Sequence, residues 1–295
     1  DRPSLIQISL ILPLQASSEN PSSSFLEMYS GALLALRDLG DEGLKLRLKV
    51  IDSSTADLEG NSEIISESDV VLGPVSYNNI LKTLPHCDRH QMLISPLEPK
   101  SAALTDSCNV IQAPSSWTSQ VDDLICWLEE DLVIGDEVIV LKDNSEKGFG
   151  EQSRRMISQL EQRQLRYREV SSLEGLGIED NITYRVLIAS DSDAFITRSV
   201  RSAGISAELK KQVVLYTTSR VRNCVDSNVA DLYNANTRMT AAYHVDYDDE
   251  AVKRFVMAYR AVFKSEPGSF AFQGYDTMMY FVKMCVNRIS QEKAF

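Results

Sequence analysis

His86 and His90 stand four residues apart with Cys87 and Asp88 between them. On a helix that spacing puts both imidazoles on one face, where they could share a metal ion. No third ligand stands nearby, and no Glu follows the first His as it does in zinc proteases, so the pair reads as the surface of a helix over 79–90. Gly148-Phe149-Gly150, ahead of a helical stretch, has the form of a phosphate-cradling turn. It lacks both the third glycine of a dinucleotide site and a Gly-Lys-Ser/Thr ending, and it reads as a turn and a cap. A Gly-x-Ser-x-Gly nucleophile signature is missing, and only three histidines exist to serve as bases. The carboxylate pairs Glu129-Glu130 and Asp248-Asp249 belong to helix surfaces or caps, where Asp complements the helix dipole. The five cysteines show no C-x-x-C spacing. If one disulfide forms, Cys87 with Cys108 is the pair for it; scattered buried thiols are the plainer reading. The expectation is a protein without catalytic metal or cofactor, and not an enzyme.

Binding chemistry remains, and it depends on the elements that would position it. Leu5 to Leu12 is a nearly continuous apolar run ending at Pro13, suited to a parallel strand buried on both faces. Ser22-Ser23-Ser24 offers caps to a helix ended by Gly40. Leu46 to Ile51, Val70 to Leu72 and Met92 to Ile94 read as further strands, the last two stopped by Gly73-Pro74 and Ser95-Pro96. After Ala113-Pro114 the rhythm restarts: a helix over 117–130, a strand over 137–141, a helix over 149–162, a strand over 186–189, a helix ended by Gly204 and a strand over 213–216. Alternation of this kind predicts parallel, doubly wound sheets. In such sheets ligands meet the loops beyond the carboxyl ends of the strands. Those loops are 13–16, 76–78, 95–98, 144–149, 190–192 and 217–220, rich in hydroxyls and suited to a polar or cationic small molecule. The Gly- and Glu-rich segment 171–181 is the expected mobile loop.

A length of 295 residues accommodates two domains, and 43% hydrophobic with 24% charged residues is a globular composition. A net charge of −12 argues against nucleic acid as a partner. No window is apolar enough to insert in a membrane. The chain opens directly into strand-like sequence, so any export signal or anchor is expected to have been removed.

The late segment is the most telling. Val252, Phe255, Val256, Tyr259, Val262 and Phe263 form one apolar stripe, Glu266-Pro267-Gly268 interrupts it, and Tyr275, Met278, Met279, Val282, Cys285, Val286 and Ile289 form a second. Phe-(x)3-Tyr-(x)3-Phe-(x)3-Pro leading into Gly274-Tyr275-Asp276 resembles the late part of type I periplasmic solute-binding proteins, the leucine/isoleucine/valine-binding class. The likeness extends to Leu72-Gly73-Pro74-Val75-Ser76, Leu93-Ile94-Ser95-Pro96 and the block Asp143 to Gly150. Tyr243-His244-Val245-Asp246-Tyr247 is similar to uncharacterised members from Bacteroidetes-type bacteria, some joined to a LysM module.

The resemblance implies an α/β fold of two lobes, each with a doubly wound, mainly parallel sheet, and a cleft between them. Residues 1–115 with 244–295 would make the first lobe and 116–243 the second, with Met239 to Val245 returning the chain to the first. It implies an exported, periplasmic or cell-envelope protein that binds a small molecule, alongside a membrane transporter or a cell-wall-associated partner. The implied ligand residues are Ser76, Tyr77, Asn78, Ser95, Leu97 and Glu98 from the first lobe, and Lys147, Phe149, Asp191 and Thr217 from the second. Glu98 stands where amino-acid-binding members carry a small residue, which favours a cation over a carboxylate there. Two other expectations compete: a partner-docking scaffold of the same fold without a ligand, and a sugar-handling enzyme on a two-lobed scaffold.

Overall fold

In the computed structural model, residues 5–55, 57–88, 90–97, 109–145, 147–177, 179–224 and 229–292 are described. The first part of the chain runs β1 (Ile6–Leu12), α1 (Ser23–Asp41), β2 (Leu46–Asp52), α2 (Ser62–Ser66), β3 (Val70–Leu72), α3 (Tyr77–Thr83), β4 (Met92–Ser95) and β5 (Val110–Gln112). The second runs α4 (Trp117–Glu130), β6 (Glu137–Lys142), α5 (Glu151–Gln162), β7 (Arg168–Val170), β8 (Thr183–Ala189), α6 (Asp193–Glu208), β9 (Gln212–Thr218), α7 (Val229–Asn234) and β10 (Arg238–Thr240). Two long helices close the chain, α8 (Glu250–Phe263) and α9 (Ser269–Glu292). The chain separates into two compact units, Asp1–Pro114 with Tyr243–Phe295, and Ser115–Ala242.

Each unit contains one five-stranded sheet, ordered β2-β1-β3-β4-β5 in the first and β10-β9-β8-β6-β7 in the second. Every strand pair is parallel. Counted from its own first strand, each sheet has the order 2-1-3-4-5. Winding reverses beside the first strand of such a sheet, and the loops on either side of that point diverge and leave a crevice.

The apolar run of β1 explains its central place. Ile6, Ile8, Leu10 and Leu12 enter the core beneath α1 and α9, while Ile11 faces the opposite core with Ile51, Ile65, Val71, Ile80 and Leu93. Ser9, which faces that second side, is satisfied by a 2.7 Å hydrogen bond with Ser68. In the second unit the two faces of β8 divide in the same way: Val186 and Ile188 pack under α6, and Leu187 and Ala189 under α4 and α5.

The Gly-Tyr-Asp signature is structural. A Cβ on Gly274 would lie 2.0 Å from the Met28 carbonyl oxygen, and one on Gly31 would lie 1.9 Å from that of Ala271. The two glycines thus let α1 and α9 touch backbone to backbone. Tyr275 donates its hydroxyl to Asp38 at 2.8 Å, and Asp276 accepts from Tyr243 at 2.7 Å. Gly274 and Tyr275 thus tie α9 to α1, and Asp276 ties it to the segment that precedes α8.

Several expected boundaries move. The helix expected over 79–90 stops at Thr83 and gives way to a short 3-10 turn, Leu84–His86. Pro85 lacks the amide hydrogen that a longer helix needs, and Cys87 is extended. His86 and His90 therefore share no helix face. Gly40 lies inside α1, which turns off instead at Gly43, where φ is +89°. Gly204 lies inside α6, where a Cβ would come within 2.6 Å of Asp231 on α7. The cap of α8 is Lys264 in the left-handed region, before Pro267-Gly268 is reached. Met239 and Thr240 belong to β10 in the sheet of the second unit, so the return to the first begins only after them. The pair Cys87–Cys108 has one member outside the described residues. Among the described residues, no helix is long and apolar enough to cross a membrane.

Candidate functional site

In the first unit, one carboxylate organises the strand ends. Asp52, at the end of β2, accepts hydrogen bonds from the amides of Leu14, Gln15, Ala16 and Ser54 and from the Ser54 hydroxyl, at 2.6–3.3 Å. Burial works against its charge, yet the hydrogen bonds from Ser54, Ala16 and Gln15 prevail and bring its pKa down to about 2. The loop after β1 is thereby fixed. After β3, Gly73 has φ +94°, and a Cβ there would meet the Ile11 carbonyl oxygen at 2.0 Å. Ser76 then caps α3, its hydroxyl accepting from the Asn79 amide at 3.3 Å. Tyr77 and Asn78 open that helix, the first half-buried and the second exposed.

Ser95 ends β4 beside β3. It is 1% exposed, and its hydroxyl has no hydrogen-bond partner among the described residues. Leaving a buried hydroxyl unpaired costs about 1–3 kcal/mol. Leu97 packs on the core beneath α1 and α9. Glu98 lies outside the described residues.

In the second unit, the crevice between the ends of β6 and β8 is filled by the protein itself. Asp143 accepts from the Ser145 amide and the Ser190 hydroxyl, each at 2.9 Å. Burial opposes its ionisation, but these bonds and the charge on Arg198 hold its pKa below the ordinary value. Asp191 accepts from the amide and hydroxyl of Ser153, at 3.3 and 2.9 Å, and so caps the first turn of α5. Gly148 and Gly150 are small because these carboxylates occupy their flanks: a Cβ would lie 1.9 Å from Asp143 Oδ2 and 1.8 Å from Asp191 Oδ2. The Asp191 amide donates to the Gly148 carbonyl at 2.7 Å, so the loops carrying Lys147, Phe149 and Asp191 are brought together. Lys147 is exposed, while Phe149 is half-buried with the Lys142 ammonium 4.9 Å from its ring centre. Thr217 is only 2% exposed within β9.

The open space lies one strand further along. A cavity of about 450 Å³ is lined by Thr218, Ser219, Arg220 and Asn223 after β9, Asp193 at the start of α6, Gln152 on α5, and Trp117 and Gln120 on α4. The first turns of three helices converge on it, each presenting the positive end of its dipole. Loop 217–220 was visible in sequence as a strand end. Trp117, Gln120, Gln152 and Asp193 were not, because they lie in helical first turns that periodicity assigns to packing, and neither was Asn223, which ends a short 3-10 turn.

No protein-family model matches the chain, and no curated protein matches its sequence. Solved structures do. A Rhodospirillum rubrum protein assigned to branched-chain amino acid ABC transport superposes with a TM-score of 0.62 at 15% identity, over 92% of this chain and 82% of that one. An ABC transporter substrate-binding protein from Desulfitobacterium hafniense, in complex with Leu, gives 0.51 at 17% identity, over 96% and 84%. The C-domain of LpoA from Haemophilus influenzae, a regulator of PBP1A, gives 0.53 at 13% identity, over 97% and 86%. The chain has the type I periplasmic binding protein fold. The expected class, two α/β units with doubly wound parallel sheets, is the observed one. At these identities the likeness is one of fold, and the side chains at the strand ends are this chain's own.

Proposed function

We propose that this chain is a non-enzymatic solute-binding protein that takes one small polar or cationic molecule at its strand-end loops, as an exported transport-associated or sensory receptor. The observation that carries the reading is the Ser95 hydroxyl, buried at the carboxyl end of a parallel strand with no partner among the described residues. A ligand group would satisfy it. Support comes also from the polar cavity at the strand ends of the second unit and from the fold shared with a substrate-binding protein in complex with Leu. Glu98, three residues after Ser95, would supply a carboxylate for a cationic group of the solute. Ser76, Tyr77, Asn78 and Leu97 would line the first unit's side, and Lys147, Phe149, Asp191 and Thr217 the second's. Asp191 would do so through the loop it holds, since Ser153 already occupies Oδ1.

The test is a thermal-shift screen of the full chain against amino acids, polyamines, nucleosides and peptidoglycan fragments. A solute at 100 times its Kd stabilises the fold by roughly 2.7 kcal/mol. Replacing Glu98→Gln weakens a cationic solute by about 1.5–3 kcal/mol, the range of a charge-assisted hydrogen bond, without lowering the melting temperature of the unliganded protein. A flat screen favours the second reading, a partner-docking scaffold of the same fold. The likeness to LpoA, a regulator of another protein, supports that alternative.

A further inference from the structure

The cavity of the second unit holds an ion pair with one side left open. Asp193 takes the Nε hydrogen of Arg220 at 2.8 Å. The two terminal nitrogens of that guanidinium have no protein acceptor among the described residues, while the residue itself lines the cavity. Four hydrogens on a planar fork are thus available, in the geometry that matches a carboxylate or a phosphate bidentately. Gln120, Gln152, Thr218, Ser219 and Asn223 line the same cavity and make it polar.

The backbone adds to this. The α4, α5 and α6 helices, of 14, 12 and 16 residues, all begin at the cavity. Ser192, the cap residue of α6, makes no side-chain cap hydrogen bond, so that first turn retains amide hydrogens for a ligand. One carboxylate, Asp193, faces this set, and it is already neutralised by Arg220. A cation entering here would have to compete with the guanidinium for Asp193. An anion would meet the open side of the fork.

We infer that the second unit holds an anion subsite centred on Arg220, which receives a carboxylate or phosphate group of the solute while Trp117 covers one side of it. The inference rests on the solute-binding reading and sharpens it. The solute therefore carries an acidic group for the second unit, so it is zwitterionic or acidic and not a simple polyamine.

The chain contains two tryptophans, Trp117 and Trp127. Trp127 lies outside the cavity lining, with the Arg238 guanidinium 5.5 Å from its ring centre. In a Trp127→Phe background, Trp117 is the sole fluorescent indole and reports on the cavity. The experiment titrates this protein at constant ionic strength with inorganic phosphate, succinate, putrescine and glucose. The expected result is a saturable change in emission with phosphate or succinate, whichever source of the anionic group fits, and none with putrescine or glucose. Adding Arg220→Gln should weaken the anion response at least 10-fold, and Arg220→Lys should retain part of it. An anion response unchanged by Arg220→Gln, a response to putrescine alone, or no response to either anion overturns the inference. The solute panel run as a thermal shift on the same protein separates the two failures. Hits in the panel with silent anions sink only the subsite, whereas a panel without hits sinks the solute-binding reading as well.

Discussion

At the scale of single residues, the acidic side chains at the strand ends act as struts, and two predictions follow from how they are held. Asp52 has its pKa lowered to about 2 against an ordinary 3.8, by hydrogen bonds that outweigh burial. A depressed carboxylate contributes stability that is complete above the unfolded value, near pH 4, and is lost as pH falls toward 2. Replacing Asp52→Asn should remove that part of the acid dependence. The wild-type advantage should be on the order of 1 kcal/mol at pH 7 after allowance for solvent screening, and it should vanish near pH 2, as urea melts across this range would show. The second concerns Arg185, which is 12% exposed and pairs with Asp136 at 2.9 Å, while also donating to Tyr216 at 3.1 Å. Removing one member of a buried pair leaves the other charge unpaired. Arg185→Met is therefore expected to cost about 3–5 kcal/mol in denaturant unfolding, and a loss under 1 kcal/mol would show that Asp136 is well solvated. Neither role could be read in sequence, where Asp52 and Asp136 are indistinguishable from surface acids.

At the scale of elements, the strands were legible where burial on both faces leaves a nearly continuous apolar run, as in Ile6–Leu12 and the 186–189 part of Thr183–Ala189, whose first three residues carry no such signal. The short strands Val110–Gln112 and Arg168–Val170 were not, since three residues at a sheet edge carry no period. The helix over 117–130 has the expected bounds, with Ser116 accepting from the Ser119 amide at its start, whereas Gly40 and Gly204, expected as terminators, lie inside their helices. Gly31, Gly204 and Gly274 are interior residues whose missing side chains admit a neighbouring backbone or carboxylate. Stability measurements on two variants separate these roles. Gly274→Ala forces the Met28 carbonyl aside and should destabilise by about 1–3 kcal/mol or more. Gly40→Ala, with nothing within 4 Å of the added carbon, should stabilise α1 by roughly 0.5–1 kcal/mol. Equal effects would mean that the contact between α1 and α9 is looser than described.

At the scale of the whole molecule, the repeated 2-1-3-4-5 sheet explains why function concentrates at loops and not in the core. Each unit presents one carboxyl edge, and each edge is stiffened by an aspartate bonded to backbone amides, Asp52 in the first and Asp143 and Asp191 in the second. Among the described residues, the first unit leaves the buried Ser95 hydroxyl without a partner and the second holds the cavity lined by Arg220. Sequence reasoning reached Ser95 through the Ser-Pro step that ends its strand. It reached Arg220 only as part of a loop, because the helical first turns that complete the cavity come from distant parts of the chain. The central claim is that the chain binds a solute through loops at these strand ends, and calorimetric titration of the full chain with the strongest solute from the screen tests it most directly. The account predicts one site per chain, with the dissociation constant raised at least 10-fold by Glu98→Gln and, independently, by Arg220→Gln. Stoichiometric binding that neither substitution weakens would contradict it.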